Sequence, residues 1–167
     1  MTNTQTQTAM PTPAIERRDE MDRLVAVTWL SADASDDCES PCWLVAVDGS
    51  ACSLRAVALA AQEARAQVDL VHVQPWLNKE AAEAELRQRG WAVAAPACQL
   101  LDAQAVRWRL HVIMGEAAPE IVGLADALGS RGIAIGSLGL TAAESVLLGS
   151  VTYKILQLAK APVLVVR

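Results

Sequence analysis

The sequence predicts an α/β fold, an open five-stranded parallel sheet with helices on both faces. Three observations point to it. From Trp43 onward, short apolar runs that end in turn residues alternate with stretches of helical periodicity five times. Strands separated by helices pair in parallel through right-handed crossovers. Aromatic residues are scarce, with five Trp, one Tyr and no Phe, so Ala, Val and Leu must build the core, which suits a sheet covered by Ala-rich helices. The 167 residues, 53% of them hydrophobic, are enough for one domain with a real core.

Residues 1 to about 20 are rich in Thr, Gln and Pro, show no periodicity and read as a flexible tail. The apolar run Arg23 to Leu30 fits either a strand or a helical turn. After it come Asp33, Asp36, Asp37 and Glu39 with no basic residue among them, the composition of a solvated acidic loop. The acidic spacing around a central Gly that an EF-hand needs is missing. Residues 1–42 are therefore expected to form an N-terminal extension, partly flexible, ahead of a domain spanning 43–167.

The regular rhythm begins with "WLVAV", an apolar run of the kind buried on both sheet faces. It ends in "DGS", a turn that offers Ser50 as a helix N-cap, and Leu54, Val57, Ala58 and Ala61 then recur at helical spacing. "VDLVHV" is the second strand, stopped by Pro75. Asn78 caps the next helix, which Glu83/Arg87 and Glu85/Arg89 support as i,i+4 pairs and which Gly90 is placed to stop. Residues 91–104 fit no single pattern, and some helix is extended into them.

"VRWRLHVI" alternates: Val106, Trp108, Leu110 and Val112 face one way, Arg107, Arg109 and His111 the other. That is the pattern of a half-exposed strand near a sheet edge. Pro119 suits the first turn of a helix whose buried stripe is Ile121, Val122, Leu124, Ala125 and Leu128, and Gly129 ends it. "GIAIG" is the fourth strand. Val151, Ile155 and Leu158 put an apolar stripe on a short helix, and Pro162 starts the last strand, "PVLVV".

Composition excludes several function classes. The net charge is −5 and no segment carries a basic cluster, against generic nucleic-acid or anionic-membrane binding. No apolar run approaches the length of a membrane span. The first residues lack a basic segment followed by an apolar one, so no secretory signal is read and the expected compartment is the cytoplasm. Cys38, Cys42, Cys52 and Cys98 form no CxxC pair and lie apart from His72 and His111, so zinc ligation is not expected and four reduced thiols are.

The stretch "GSLGLTAAESVLLGS" has Gly136, two residues, Gly139, nine residues, then Gly149-Ser150. With "WLVAVDGSACSLRAVALAA", "VDLVHV", "GEAAPEIVGLADALGSRGIAIGS" and "APVLVVR" in this order, residues 43–167 resemble the universal stress protein family of the ATP-binding-motif type. The resemblance implies a Rossmann-like, adenine nucleotide alpha hydrolase-like arrangement that sets the first and fourth strands side by side where strand order reverses. It implies ATP as ligand, accompanied by Mg²⁺. Gly136, Gly139, Gly149, Ser150 and Val151 would border the phosphates, where a backbone without Cβ lets anions approach N–H groups. Ala46, Val47 and Ile135 would line the crevice, Val73 would meet the adenine through its backbone, and Asp48 would lie near the ribose or the Mg²⁺. Each has a plainer structural role open to it: Asp48 and the glycines as turn residues, Ser150 as a cap, His72 as a core histidine.

The loop departs from the family's pattern. It holds Leu138, Leu140 and Glu144 and has no Lys or Arg between Ile133 and Ser150. A carboxylate beside phosphates is repulsive unless a cation intervenes, whereas Thr141 to Glu144 has the spacing of a capping box. The leading expectation is a stress-response protein that binds an adenine nucleotide and regulates its contacts. The alternatives are a dimeric interaction module that binds no nucleotide and a slow ATP hydrolase, for which no general base faces the loop. The resemblance also implies a homodimer through "PVLVV", apolar on both faces and at a sheet edge. The competing arrangement has residues 23–30 fold back over an edge and leave a monomer.

Overall fold

The structure is a computed structural model that describes residues 9–34, 40–64, 67–139 and 148–167. In chain order the elements are β1 (Ile15–Arg18), β2 (Leu24–Leu30), β3 (Trp43–Ala46), α1 (Ala51–Glu63), β4 (Gln67–Gln74), α2 (Lys79–Ala103), β5 (Arg107–Met114), α3 (Ala117–Leu128), β6 (Gly132–Gly136), α4 (Ser150–Leu158) and β7 (Val163–Val166). One sheet holds all seven strands of the described residues in the order β1-β2-β5-β4-β3-β6-β7. Strands β3 to β7 pair in parallel, as the alternation predicts. The strand count rises from five to seven because residues assigned to the extension add β1 and β2, both antiparallel.

That addition corrects two expectations. Part of the presumed tail is strand: Ile15–Arg18 pairs with β2, and the Trp29 indole Nε1 donates to Pro11 O at 2.9 Å. The strand read at Val106–Ile113 is interior, since β2 occupies its outer edge. Its polar side is largely covered too. Arg109 is 5% exposed and grips Asp69, 1% exposed, through two bonds of 2.7 and 2.9 Å. A buried guanidinium is tolerated because its planar fork meets a carboxylate bidentately.

Helices α1 and α2 cover one face and α3 and α4 the other, each face with its own apolar cluster. On the first, Trp91 of α2 lies between Trp29 and Trp108, with ring centroids 5.8 and 6.3 Å away. Ser50 and Asn78 cap α1 and α2 as read: Ser50 Oγ accepts from Ser53 N at 3.1 Å, Asn78 Oδ1 from Ala81 N at 2.8 Å. Gly90 does not stop α2, which runs on through Pro96 to Ala103. A Cβ at Gly90 would sit 2.5 Å from Val112 Cγ1, so this glycine lets the helix approach β5 rather than ending it. Gly129 does end α3, in the left-handed conformation with φ 60°.

The stripe expected on α4 is rotated. Ile155 is buried, but Val151 is 36% and Leu158 48% exposed, and Thr152 takes the second buried position. Of the cysteines, Cys42 is disulfide-bonded, against the expectation of four reduced thiols, while Cys52 and Cys98 are free. Burial pushes the Cys98 thiol up to about 12. Cys38, Leu140, Thr141 and Glu144, with the capping box proposed for them, lie outside the described residues.

Candidate functional site

Chain order leads from β3 to β4 on one side and from β5 to β6 on the other, so strand order reverses between β3 and β6. In open α/β sheets a crevice opens at the carboxyl ends of the strands at such a point. A cavity of about 610 Å³ lies there. It is of a size that holds a small organic ligand.

The structure brings all ten sequence-predicted residues to this cavity. Ala46, Val47 and Asp48 reach it from the end of β3, Val73 from β4, and Ile135, Gly136 and Gly139 from β6 and the segment after it. Gly149, Ser150 and Val151 reach it from the start of α4. The local folding that places them is explicit. Val47 N donates to Val71 O at 2.8 Å and so prolongs the sheet by one residue. Asp48 Oδ1 accepts from Ser50 N at 2.9 Å, closing an Asx turn that starts α1. His72 Nδ1 donates to Val47 O at 2.9 Å, so His72 ties β4 to the strand end and also lines the cavity.

The glycine loop is pinched at its base. Gly149 N donates to Ser137 O at 2.7 Å, and Thr152 Oγ1 donates to Gly136 O at 2.9 Å. A Cβ built on Gly139 would stand 2.9 Å from Asp48 Oδ2, so a glycine here keeps the space beside the free carboxylate oxygen open. Among the described residues no side chain caps α3 or α4, unlike α1 and α2: their N-cap positions hold Glu116, which makes no side-chain cap bond, and Gly149. The first N–H groups of α4 are therefore directed past Gly149 without a side-chain acceptor among the described residues.

Sequence reasoning missed Ser53, Val71, Ala117, Ile121 and Thr152, which also line the cavity. Ala117 and Ile121 stand one turn apart on α3, and only the crossing of α3 over the switch point turns them inward. Thr152 carried a signal, a hydroxyl two residues after Ser150 in an otherwise apolar helix face. Among the described residues no group of three or more His, Cys, Asp or Glu is placed to hold a metal ion. No helix of the described residues is long and apolar enough to cross a membrane.

Residues 43–167 match the model of the universal stress protein family. Universal stress protein YxiE of Bacillus subtilis is 29% identical over 143 residues, 74% of this chain and 97% of that protein. A crystal structure of a universal stress protein in complex with cAMP is 26% identical with TM-score 0.64 over 76% of this chain and 97% of its own. The universal stress protein of Archaeoglobus fulgidus in complex with dAMP has the same fold, with 24% identity and TM-score 0.64 over 78% and 100% of the two chains.

Proposed function

The chain belongs to the universal stress protein family, and from that premise we propose that it binds an adenine nucleotide, ATP with Mg²⁺, in the cavity at the switch point, and that it acts as a regulatory binder. The observation that carries the reading is the convergence of residues 46–48, 73, 135, 136, 138, 139 and 149–151 on one cavity of about 610 Å³. The complexes with cAMP and dAMP in similar proteins support an adenine nucleotide as the class of ligand.

The residues fit such a ligand. The apolar wall of Val47, Val71, Val73 and Ile121 suits a base, and Asp48 suits a ribose hydroxyl. The Gly139 cradle and the uncapped start of α4 suit phosphate oxygens. Asp48 Oδ2 would hold Mg²⁺ through one oxygen, the phosphates and water supplying the rest, as this ion takes them. The bound ion supplies charge neutralisation between the carboxylate and the phosphates. Asp48 positions the ribose side of the ligand, Gly139 leaves room for the phosphate, and Ser150 offers a hydroxyl donor.

The reading extends to a cytoplasmic protein that forms a two-fold dimer through β7. The free thiols of Cys52 and Cys98 suit a reducing compartment; the disulfide at Cys42 does not. A hydrolase is not proposed: among the described lining residues the groups that could act as a base are Asp48, assigned here to the ligand and its ion, and His72, whose Nδ1 is bonded to Val47 O.

Isothermal calorimetry with ATP, AMP and adenosine tests the site. Gly139→Val should weaken ATP by at least about tenfold, since its side chain fills the space beside Asp48 Oδ2. Equal affinity in the variant and the parent protein, both folded, would remove the site assignment.

A further inference from the structure

We infer that the cavity continues into a second, cationic subsite between α3 and α4, where Lys154 takes the distal phosphates of the nucleotide in exchange for Glu116. The inference rests on the adenine-nucleotide reading above and adds to it a residue that decides between ligands of different phosphate number.

Three observations carry it. First, a groove of about 410 Å³ runs between α3 and α4, and Ala117, Ser150 and Val151 line both it and the main cavity, so the two spaces adjoin. Second, the main cavity offers the distal phosphates no cationic side chain among its described lining residues. None of its described lining residues is Lys or Arg, Asp48 is a carboxylate, and residues 133–149 contain no basic side chain. The positive charge lining the groove belongs to Lys154. Ser150, Lys154 and Gln157 stand at i, i+4 and i+7, one face of α4, so the ammonium follows directly from the residue that borders the phosphate loop.

Third, the present partner of Lys154 is replaceable. Its ammonium pairs with the Glu116 carboxylate, with side chains 54% and 64% exposed. An ion pair so exposed adds little stability. Glu116 stands at the N-cap of α3 yet caps nothing with its side chain. Its carboxylate occupies the position in front of Lys154 that a phosphate would fill. A phosphate offers more charge and more acceptor oxygens than a carboxylate, so a triphosphate that reaches the groove displaces Glu116. Adenosine does not reach it, and a monophosphate gains little. The released Glu116 repels the incoming phosphate, and this sets a threshold on binding.

Calorimetry at low ionic strength with adenosine, AMP and ATP, on the full chain and on Lys154→Gln, Glu116→Gln and Lys160→Gln, tests this. Lys160 is the control: it also pairs with a carboxylate, Asp126, at 3.0 Å, but does not line the groove. Lys154→Gln should weaken ATP about threefold to fivefold, AMP less than about twofold and adenosine not at all. Glu116→Gln should tighten ATP and leave adenosine unchanged, Lys160→Gln should change nothing, and added salt should shrink both effects. Lys154→Arg should keep ATP affinity. It also serves, with Glu116→Gln, as the test if Lys154→Gln melts early. An ATP-to-adenosine affinity ratio unmoved by Lys154→Gln and Glu116→Gln overturns the subsite while leaving the nucleotide reading intact, and so does an equal loss in Lys160→Gln. Failure of all three ligands to bind the parent protein overturns both.

Discussion

Gly136 and Gly139 lie three residues apart in one motif and serve different ends. A Cβ on Gly136 would come within 2.7 Å of Cys52 Cβ and 2.9 Å of the Cys52 carbonyl carbon, so this glycine lets the end of β6 lie against the first turn of α1. Among the described residues the Cβ on Gly139 meets only Asp48 Oδ2, and on Gly149 its nearest atom is Ser137 O at 3.4 Å. Gly136→Ala should therefore cost about 1–3 kcal/mol through overpacking against backbone. Gly149→Ala should cost less than about 1 kcal/mol, the difference between Gly and Ala at an N-cap. Urea denaturation of the two variants checks the contrast, and equal losses would refute it. The spacing of the glycines was legible in the sequence because a motif is a pattern along the chain. The division of labour was not, because it depends on which atoms α1 brings to Gly136. Arg109 was misread for the same reason: its alternation is plain, but its partner Asp69 is 40 residues away.

At the scale of elements, the N-terminal hairpin is the piece that sequence patterning left unformed. β1 is four residues, "IERR", all exposed, and offers no apolar face for a period to show. It becomes a strand because β2 presents it with a ladder and because α2 holds its charges. Arg87 Nε donates to Glu16 Oε1 at 2.6 Å, Arg18 pairs with Glu83, and Lys79 reaches Asp22 at 3.1 Å. The hydrogen bond from Arg87 holds the Glu16 carboxyl below its usual range, and that from Arg18 does the same for Glu83. Carboxylates lowered in this way add stability that is present above the unfolded value, 4.5, and is lost as pH falls through the lowered folded values. NMR on acidification should thus show the amides of β1 losing dispersion before those of β3 to β7, and high salt at neutral pH should weaken the same docking. Loss of both sets together would show that the ion pairs do not hold the hairpin. The existence of the five parallel strands, by contrast, was legible, since runs such as "GIAIG" are apolar on both faces and bounded by turn residues, although the alternation of β5 put it at an edge that β2 in fact covers.

The whole molecule has two sheet edges of opposite character. On one side β1 ends the sheet with charged, exposed side chains; on the other β7 ends it with four half-buried aliphatic residues. Residues 23–30 do fold onto the sheet, but against β5, and among the described residues no strand pairs with the outer side of β7. Pro162 O and Val166 O accept from Ile133 N and Ser137 N, so alternation turns the N–H groups of Val163 and Val165 toward the open side. For the proposed dimer, light scattering should give twice the chain mass for the parent protein and the chain mass for Val165→Pro, with little change in melting temperature. A monomeric parent protein, or a dimeric variant, would end that proposal. The charged hairpin also bears on what such an edge can do. Two open apolar edges on one chain would let copies add end to end without limit, as sheets do in fibrils. With β1 polar and fastened to α2, each chain has a valence of one, and an assembly through β7 is complete at two copies.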